Sequence, residues 1–276
     1  MNDLVHLAVS TAVILCRGLG KRMRANSSNT GAMLDQATAE IAESGVKALI
    51  AIDRPFLDYV LHDLAEAGVY DVVLVIGPEH HALRQYYSTL PTKRIRITFA
   101  IQLQPRGTAD AVAAAQQAVG TRPFLVINSD NLYPASALKP LAASGVPGLV
   151  GFHRSGLLTG NIPADRVAKF AVIRTNGQNY LESIIEKPTV EQLTAIGIDP
   201  MISMNCWSFD QRIFAACAAI APSPCGELEL PDAVIKSMDD GVRYRIVERF
   251  EPVLDLSSRD DIATVRTALA NHDVQL

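Results

Sequence analysis

Three short runs of consecutive apolar residues, at 12–16, 72–76 and 124–127, constrain this 276-residue chain more than any other feature. None shows the polar alternation of a half-exposed strand. Each stops at a turn: Arg17-Gly18, Gly77-Pro78 and Asn128-Ser129-Asp130. Strands written this way are buried on both faces, and that requires a mostly parallel sheet covered by helices on both sides. The intervening sequence supplies the helices. Phe56, Leu57, Tyr59, Val60, Leu61 and Leu64 recur at helical spacing, with Pro55 suited to the first turn and Gly68 to the C-terminal cap. Residues 108–119 form a second helical pattern.

After Gly148 the pattern changes. Residues 149–152, 168–174, 180–185 and 201–209 read as strands separated by loops, followed by helices near 210–220 and 258–271. No Gly/Ser-rich or Pro-rich linker divides the chain. The expectation is one α/β domain over residues 1–276, with a mixed extension of the central sheet. Its approximate halves, 1–150 and 151–276, would flank a single cleft.

Composition removes several classes of function. Twenty-five basic and 29 acidic residues leave a net charge of −4, so no global field draws nucleic acid or acidic lipid. The longest apolar run, residues 213–221, is far short of the ~20 residues that cross a bilayer. The apolar stretch 4–16 lacks a basic n-region, and Leu15 is too large for a cleavage site, so a buried first strand is expected there rather than a leader. Four cysteines (Cys16, Cys206, Cys217, Cys225) show no zinc spacing and read as reduced thiols of a cytoplasmic protein with no visible base partner. The adjacent His80-His81 pair reads as solvated surface.

The turn after the first run carries four cations in eight residues (Arg17, Lys21, Arg22, Arg24) around Gly18 and Gly20. Backbone N–H groups in such a turn can cradle a phosphate; a solvated basic loop is the alternative. Met23 stands where a dinucleotide fingerprint has its third glycine, and Arg22 where a Walker loop has Ser or Thr, so both of those motifs are disfavoured.

Seven segments, in order along residues 12–261, resemble the sugar-1-phosphate nucleotidylyltransferases. They are Leu15-Cys16-Arg17-Gly18-Leu19-Gly20-Lys21-Arg22-Met23, the Lys47 segment with the helix after it, Gln102 to Ala111, Phe124 to Asn131, Glu186-Lys187-Pro188, Gly226 to Asp232, and Asp255 to Asp261. The resemblance implies a Rossmann-like nucleotide-diphospho-sugar transferase fold. It implies transfer of a nucleotidyl group from an NTP to a sugar-1-phosphate, with release of pyrophosphate and with Mg²⁺ as cofactor. Positioning and charge neutralisation would dominate such a reaction.

On that resemblance Arg22, Lys47, Asp130 and Lys187 are the catalytic candidates. Leu15, Arg17, Gly18, Gly20, Lys21, Gln102, Gly107 and Thr108 would bind the nucleotide, and Glu186, Lys187 and Asn205 the sugar phosphate. Asp130 and Asp255 would hold the metal. A turn former is the alternative for Asp130 and a helix-start residue for Asp255, although Ser257 with Asp260 or Asp261 suits the cap better. The Gln102 amide could donate to O4 and accept from N3–H of a pyrimidine. The resemblance implies that Gln followed five residues later by Gly107 is a pyrimidine arrangement, which favours UTP or dTTP, although relatives that use purine nucleotides share the Gly-Thr-Ala-Asp segment and Gln104 competes for the role. Trp207 reads either as a sugar platform or as core.

The chain departs from the family pattern at Cys16, Arg17, Lys21, Val46 and Ala171, and its polar segment between Arg24 and Lys47 is long enough for a lid. A nucleotide-sugar-sensing regulatory subunit of the same fold, or transfer onto a non-sugar phosphate, are the alternative functions. Retention of Arg22, Lys47, Asp130, Lys187 and Asp255 together favours catalysis. No hexapeptide-repeat domain, and so no acyltransfer activity, is expected. No nucleic-acid or membrane partner is expected either; a homo-oligomer would be in keeping with the family.

Overall fold

A computed structural model describes residues 8–18, 20–24 and 36–276, with the side chains of Lys21, Gln36 and Ala37 excepted. The three apolar runs form β1 (Thr11–Leu15), β2 (Asp71–Ile76) and β4 (Phe124–Asn128), with β3 (Arg96–Ile101) between the last two in sequence. Their side chains alternate between two buried layers. Ala12, Ile14, Val72, Leu74, Leu125 and Ile127 enter one core with Phe56, Leu57 and Leu61 of the Phe56–Glu66 helix. Val13, Val73, Val75, Phe124 and Val126 enter the other with Ala109, Val112, Trp207 and Phe214. The runs are continuously apolar because each successive side chain meets a different layer of protein.

β1 pairs in parallel with β2 on one side and β4 on the other, and β2 pairs in parallel with β3. The chain therefore leaves β1 in one direction for β2 and β3 and later crosses back to its other edge. That reversal opens a crevice beyond the carboxyl ends of β1 and β4, where open α/β sheets bind ligands. Leu15 lies opposite Asn128 at its floor.

The extension is mixed, as expected. Past β5 (Asn131–Leu132) come β6 (Gly148–His153), β7 (Val172–Thr175), β8 (Leu181–Ile185), β9 (Met201–Phe209), β10 (Arg245–Arg249) and β11 (Leu254–Asp255). β9 runs antiparallel between β4 and β6, β10 joins β6 in parallel, and β7 with β8 forms an antiparallel flap on β9. A separate two-stranded pairing sets Asp255 of β11 opposite Asn131 of β5.

Three expectations need correction. The single helix over 108–119 divides into Thr108–Ala114 and Gln116–Val119, because Ala115 N–H bonds to Val112 O and tightens the turn. Residues 168–174 are not strand throughout: Pro163 starts a helical turn over Ala164–Val167, and extended structure begins at Val172. His80 is half-buried, and its Nδ1 accepts from Gly77 N–H at 3.4 Å, so only His81 is solvated. Half of the segment read as a lid, residues 25–35, lies outside the described residues; in the other half, Gln36–Ser44 is helix. Among the described residues, no helix is long and apolar enough to cross a membrane.

Candidate nucleotide site

A cleft of about 370 Å³ occupies the crevice at the ends of β1 and β4. Leu15, Arg17, Gly18, Gly20, Arg22, Lys47, Gln102, Gly107, Thr108 and Asp130, ten of the residues singled out from sequence, line it, with Asn128, Ser129 and Glu227. Lys187, Glu186, Asn205 and Asp255 do not line it. Lys21 starts the short helix Lys21–Arg24, but its side chain lies outside the described residues.

The glycine turn is held from below. Gly20 has φ +59°, and a Cβ there would lie 2.5 Å from Gly45 O, so close backbone approach requires glycine. Arg24 donates to Ser44 O at 2.7 Å and fixes the same approach. Met23 is fully buried while Arg22, one residue earlier, is exposed at the cleft. Across the cleft the 3₁₀ turn Lys47–Leu49 presents Lys47, whose Nζ meets Asp130 Oδ2 at 2.6 Å. Both side chains keep part of their surface in the cleft, 14% and 22%.

Asp255 lies behind this pair. Leu256 N–H donates to Asp130 O at 2.8 Å, which joins the two aspartate segments directly. The Asp255 carboxylate is 3% exposed. Its Oδ1 accepts from Asn131 Nδ2 (2.9 Å) and Ser257 Oγ (2.7 Å), and its Oδ2 from Arg166 (2.5 Å), which also reaches Asp261. Burial first, and then the charge of Asp130, hold the Asp255 carboxyl above the usual range. Ser257 thus serves Asp255. The capping expected of it belongs to Asp261, whose Oδ2 accepts from the N–H groups of Ser257 and Ser258.

The base end differs from the sequence reading. Gln102 Nε2 donates to Gly107 O (3.1 Å) and to Asp110 Oδ2 (2.9 Å). Both amide protons are spent on the protein, which leaves Oε1 as the acceptor offered to a ligand. Gln104 is exposed and does not line the cleft. Arg17 points to this end as well: it pairs with Glu79 at 2.9 Å and donates to Gln102 O at 2.5 Å. Thr108 Oγ1 accepts from Leu230 N–H at 2.8 Å, which leaves its proton and one lone pair for a ligand.

Gly107 is the second glycine that geometry demands. Its φ is +117°, and an added Cβ would lie 2.4 Å from Leu228 O. Leu228 O accepts from Ala109 N–H at 2.9 Å and Leu228 N–H donates to Arg106 O at 2.7 Å, which holds the 106–109 turn against this contact. Gly107→Ala should therefore lower unfolding free energy by roughly 2 kcal/mol and raise the nucleotide KM, because strained backbone and a backbone clash add. Urea denaturation checks it, and a change inside experimental error would contradict the close approach.

On the sugar side, Trp207 is fully buried and stacks on Phe209 with ring centroids 5.7 Å apart, so it is core and not a platform. Asn205, at φ +57° in the irregular middle of β9, meets Trp207 Nε1 through its Oδ1 at 3.4 Å. Lys187 is exposed at φ +45°, a conformation costly for a side-chain-bearing residue. Burial of its carboxyl end, followed by the charges of Glu229 and Asp232, raises the pKa of Glu186, although the residue as a whole is exposed. Of the four thiols, Cys225 is exposed and its Sγ donates to Glu229 Oε1 at 3.1 Å. Cys16, Cys206 and Cys217 are buried, and burial pushes the Cys16 thiol up to about 12.

Sequence reasoning missed Arg166, Asn131 and Glu227. Arg166 has no local signal, because its partners lie 89 and 95 residues away. Glu227 stood in a quoted segment without a role.

The nucleotidyl transferase family model matches residues 39–271. The low-salt glycan biosynthesis nucleotidyltransferase Agl11 of Haloferax volcanii is 28% identical over 236 residues, 83% of this chain and 57% of that protein. The bifunctional protein GlmU of Methanococcus maripaludis is 25% identical over 83% of this chain and 47% of its own length. The UTP–glucose-1-phosphate uridylyltransferase of Streptococcus pneumoniae serotype 4 is 24% identical over 82% of this chain and 79% of its own. The chain thus spans about half the length of the first curated relatives it matches. A UDP-glucose pyrophosphorylase solved with UDP-glucose shares the fold, with TM-score 0.73 at 18% identity over 96% of this chain and 100% of that one. With a match spanning most of its length, the chain belongs to the nucleotidyl transferase family.

Proposed function

We propose that the chain transfers a nucleotidyl group from an NTP to a sugar-1-phosphate, giving a nucleotide sugar and pyrophosphate. One observation carries this reading: the cleft at the strand reversal brings a glycine turn with Arg22, Lys47, Asp130 and Gln102 together from four separate segments. That set matches a bound nucleoside triphosphate end to end. Gln102 and Gly107 address the base, the 18–22 turn and Arg22 the phosphates, and Lys47 with Asp130 the reacting phosphorus. Residues 1–150 would hold the nucleotide and residues 151–276 the sugar phosphate.

The donor set at Asp130 fits a divalent cation. It is an all-oxygen carboxylate facing the cleft, beside a second carboxylate whose protonation it already favours by repulsion. Asp130, with Asp255 behind it, would hold Mg²⁺, which supplies neutralisation of the phosphate oxygens. The protein's own groups do the rest. Lys47 and Arg22 hold the triphosphate oxygens and keep the α-phosphorus open to in-line attack by the sugar phosphate oxygen. Lys187 and Glu186 meet the sugar phosphate from the opposite half, and Asn205 a sugar hydroxyl. The one acceptor left on Gln102 suits the N3–H of uracil or thymine, and the names of the uridylyltransferase relatives agree with UTP.

The test is pyrophosphate release with Mg²⁺, crossing the common NTPs and dTTP against sugar-1-phosphates. Release is expected with UTP or dTTP and one hexose-1-phosphate. Silence across the panel, with nucleotide-sugar binding retained, would replace catalysis by sensing.

A further inference from the structure

Outside the lining of the cleft, the helix Phe56–Glu66 carries His62 and Asp63 on consecutive positions, and the chain returns to it after its last helix. Arg54 donates to Val274 O at 3.2 Å, and His62 Nδ1 lies 3.2 Å from the backbone N and 3.3 Å from the backbone O of Gln275, so residues 272–275 run beside that helix. This return sets His272 against His62, ring edge to ring face with centroids 5.2 Å apart. One ligand atom each from His62, Asp63 and His272 lies within 4.8 Å of the other two.

The spacing within this cluster is informative. His272 Nε2 is buried without a hydrogen-bond partner and sits 3.7 Å from Asp63 Oδ1. That is too long for a hydrogen bond. Two ligand atoms about 2.1 Å from one tetrahedral ion are about 3.4 Å apart, close to the distance seen. Asp63 is 8% exposed. A buried carboxylate and a buried imidazole nitrogen thus face each other with neither paired by a hydrogen bond. The third member is oriented from outside: in the tautomer that carries its proton on Nδ1, His62 donates to Gln275 O at 3.3 Å and keeps the Nε2 lone pair for an ion. A backbone carbonyl on the other ring nitrogen is the usual support of a metal-bound histidine.

We propose that His62, Asp63 and His272 form a transition-metal site, of the Zn²⁺ class, that ties the 272–276 segment to the Phe56–Glu66 helix. Two imidazoles and one carboxylate select Zn²⁺, Co²⁺ or Ni²⁺ over Mg²⁺, with solvent completing the shell. The role is structural, and it is independent of the nucleotide site.

Untagged full-length protein, stripped with a chelator, should take up one equivalent of Zn²⁺ in competition with a chromophoric indicator. Asp130→Asn should bind the same equivalent, which separates this site from the cleft. Zn²⁺ should raise Tm by about 5 °C, as mass action requires of a ligand that binds only the folded chain. His62→Gln and His272→Gln should each weaken binding on the order of 100-fold and abolish the Tm shift. Co²⁺ should give a d–d spectrum that the same variants lose. No Zn²⁺ uptake by the parent at micromolar concentration overturns the proposal. So does uptake that the two variants, folded by circular dichroism, leave unchanged, or uptake that Asp130→Asn alone removes.

Discussion

Asp130→Asn is expected to lower turnover by on the order of 10²-fold or more, the scale for losing one preorganised electrostatic group, while the chain stays folded. The carboxylate sits just past β4 at the floor of the cleft and 2.6 Å from Lys47. Replacing it by an amide removes one negative charge from the place proposed to hold a divalent cation. It also leaves the Lys47 ammonium unpaired. With 22% of the Asp130 side chain exposed, Lys47 can turn to solvent or to substrate, so the stability cost should stay near the ~1 kcal/mol of an exposed pair. The expected signature is a kcat that collapses with little change in Tm. Pyrophosphate release and a thermal melt on the same preparation read both quantities. Turnover near that of the parent would remove Asp130 from the chemistry; a large fall in Tm would make it a structural residue.

The parts of the fold that were legible in sequence are those in which one local pattern decides the outcome. The runs behind β1, β2 and β4 had to be doubly buried, and the two cores accept them side chain by side chain. β3 and β10 escaped notice because they are sheet edges with exposed arginines at Arg96 and Arg245, so neither reads as a buried run. Residues that line the cleft were readable where they sit in turns directly after strands, as Arg17, Gln102 and Asp130 do. The remainder was not, because it depends on partners distant in sequence. Nothing near Gln102 announces that Asp110 and Gly107 O consume both amide protons. Nothing near Trp207 distinguishes a core ring from a ligand platform until Phe209 and Tyr244 are seen packed on it.

Arg166 is the extreme case, and its removal should have the largest effect on stability. Arg166→Ala leaves Asp255 and Asp261, 3% and 6% exposed, facing each other without the cation that touches both. Removing one partner of a buried charge cluster costs about 3–5 kcal/mol, because the remaining charges stay desolvated. For a chain of this length that corresponds to a fall in Tm of roughly 10 °C. Adding Asp255→Asn to the same chain should recover part of the loss, since the amide no longer needs a counter-charge. The coupling between the two substitutions, read from urea denaturation of the four chains, should exceed ~1 kcal/mol, and a value near zero would mean that the pair is not mutually dependent. The same experiment bears on the metal. If Asp255 joins Asp130 in holding a divalent ion, Arg166 is its competitor for the Oδ2 oxygen, and millimolar Mg²⁺ should stabilise Arg166→Ala more than the parent. Equal stabilisation of both chains would confine the ion to Asp130 and leave Asp255 as the buried anchor that holds β5 and β11 in register beneath it.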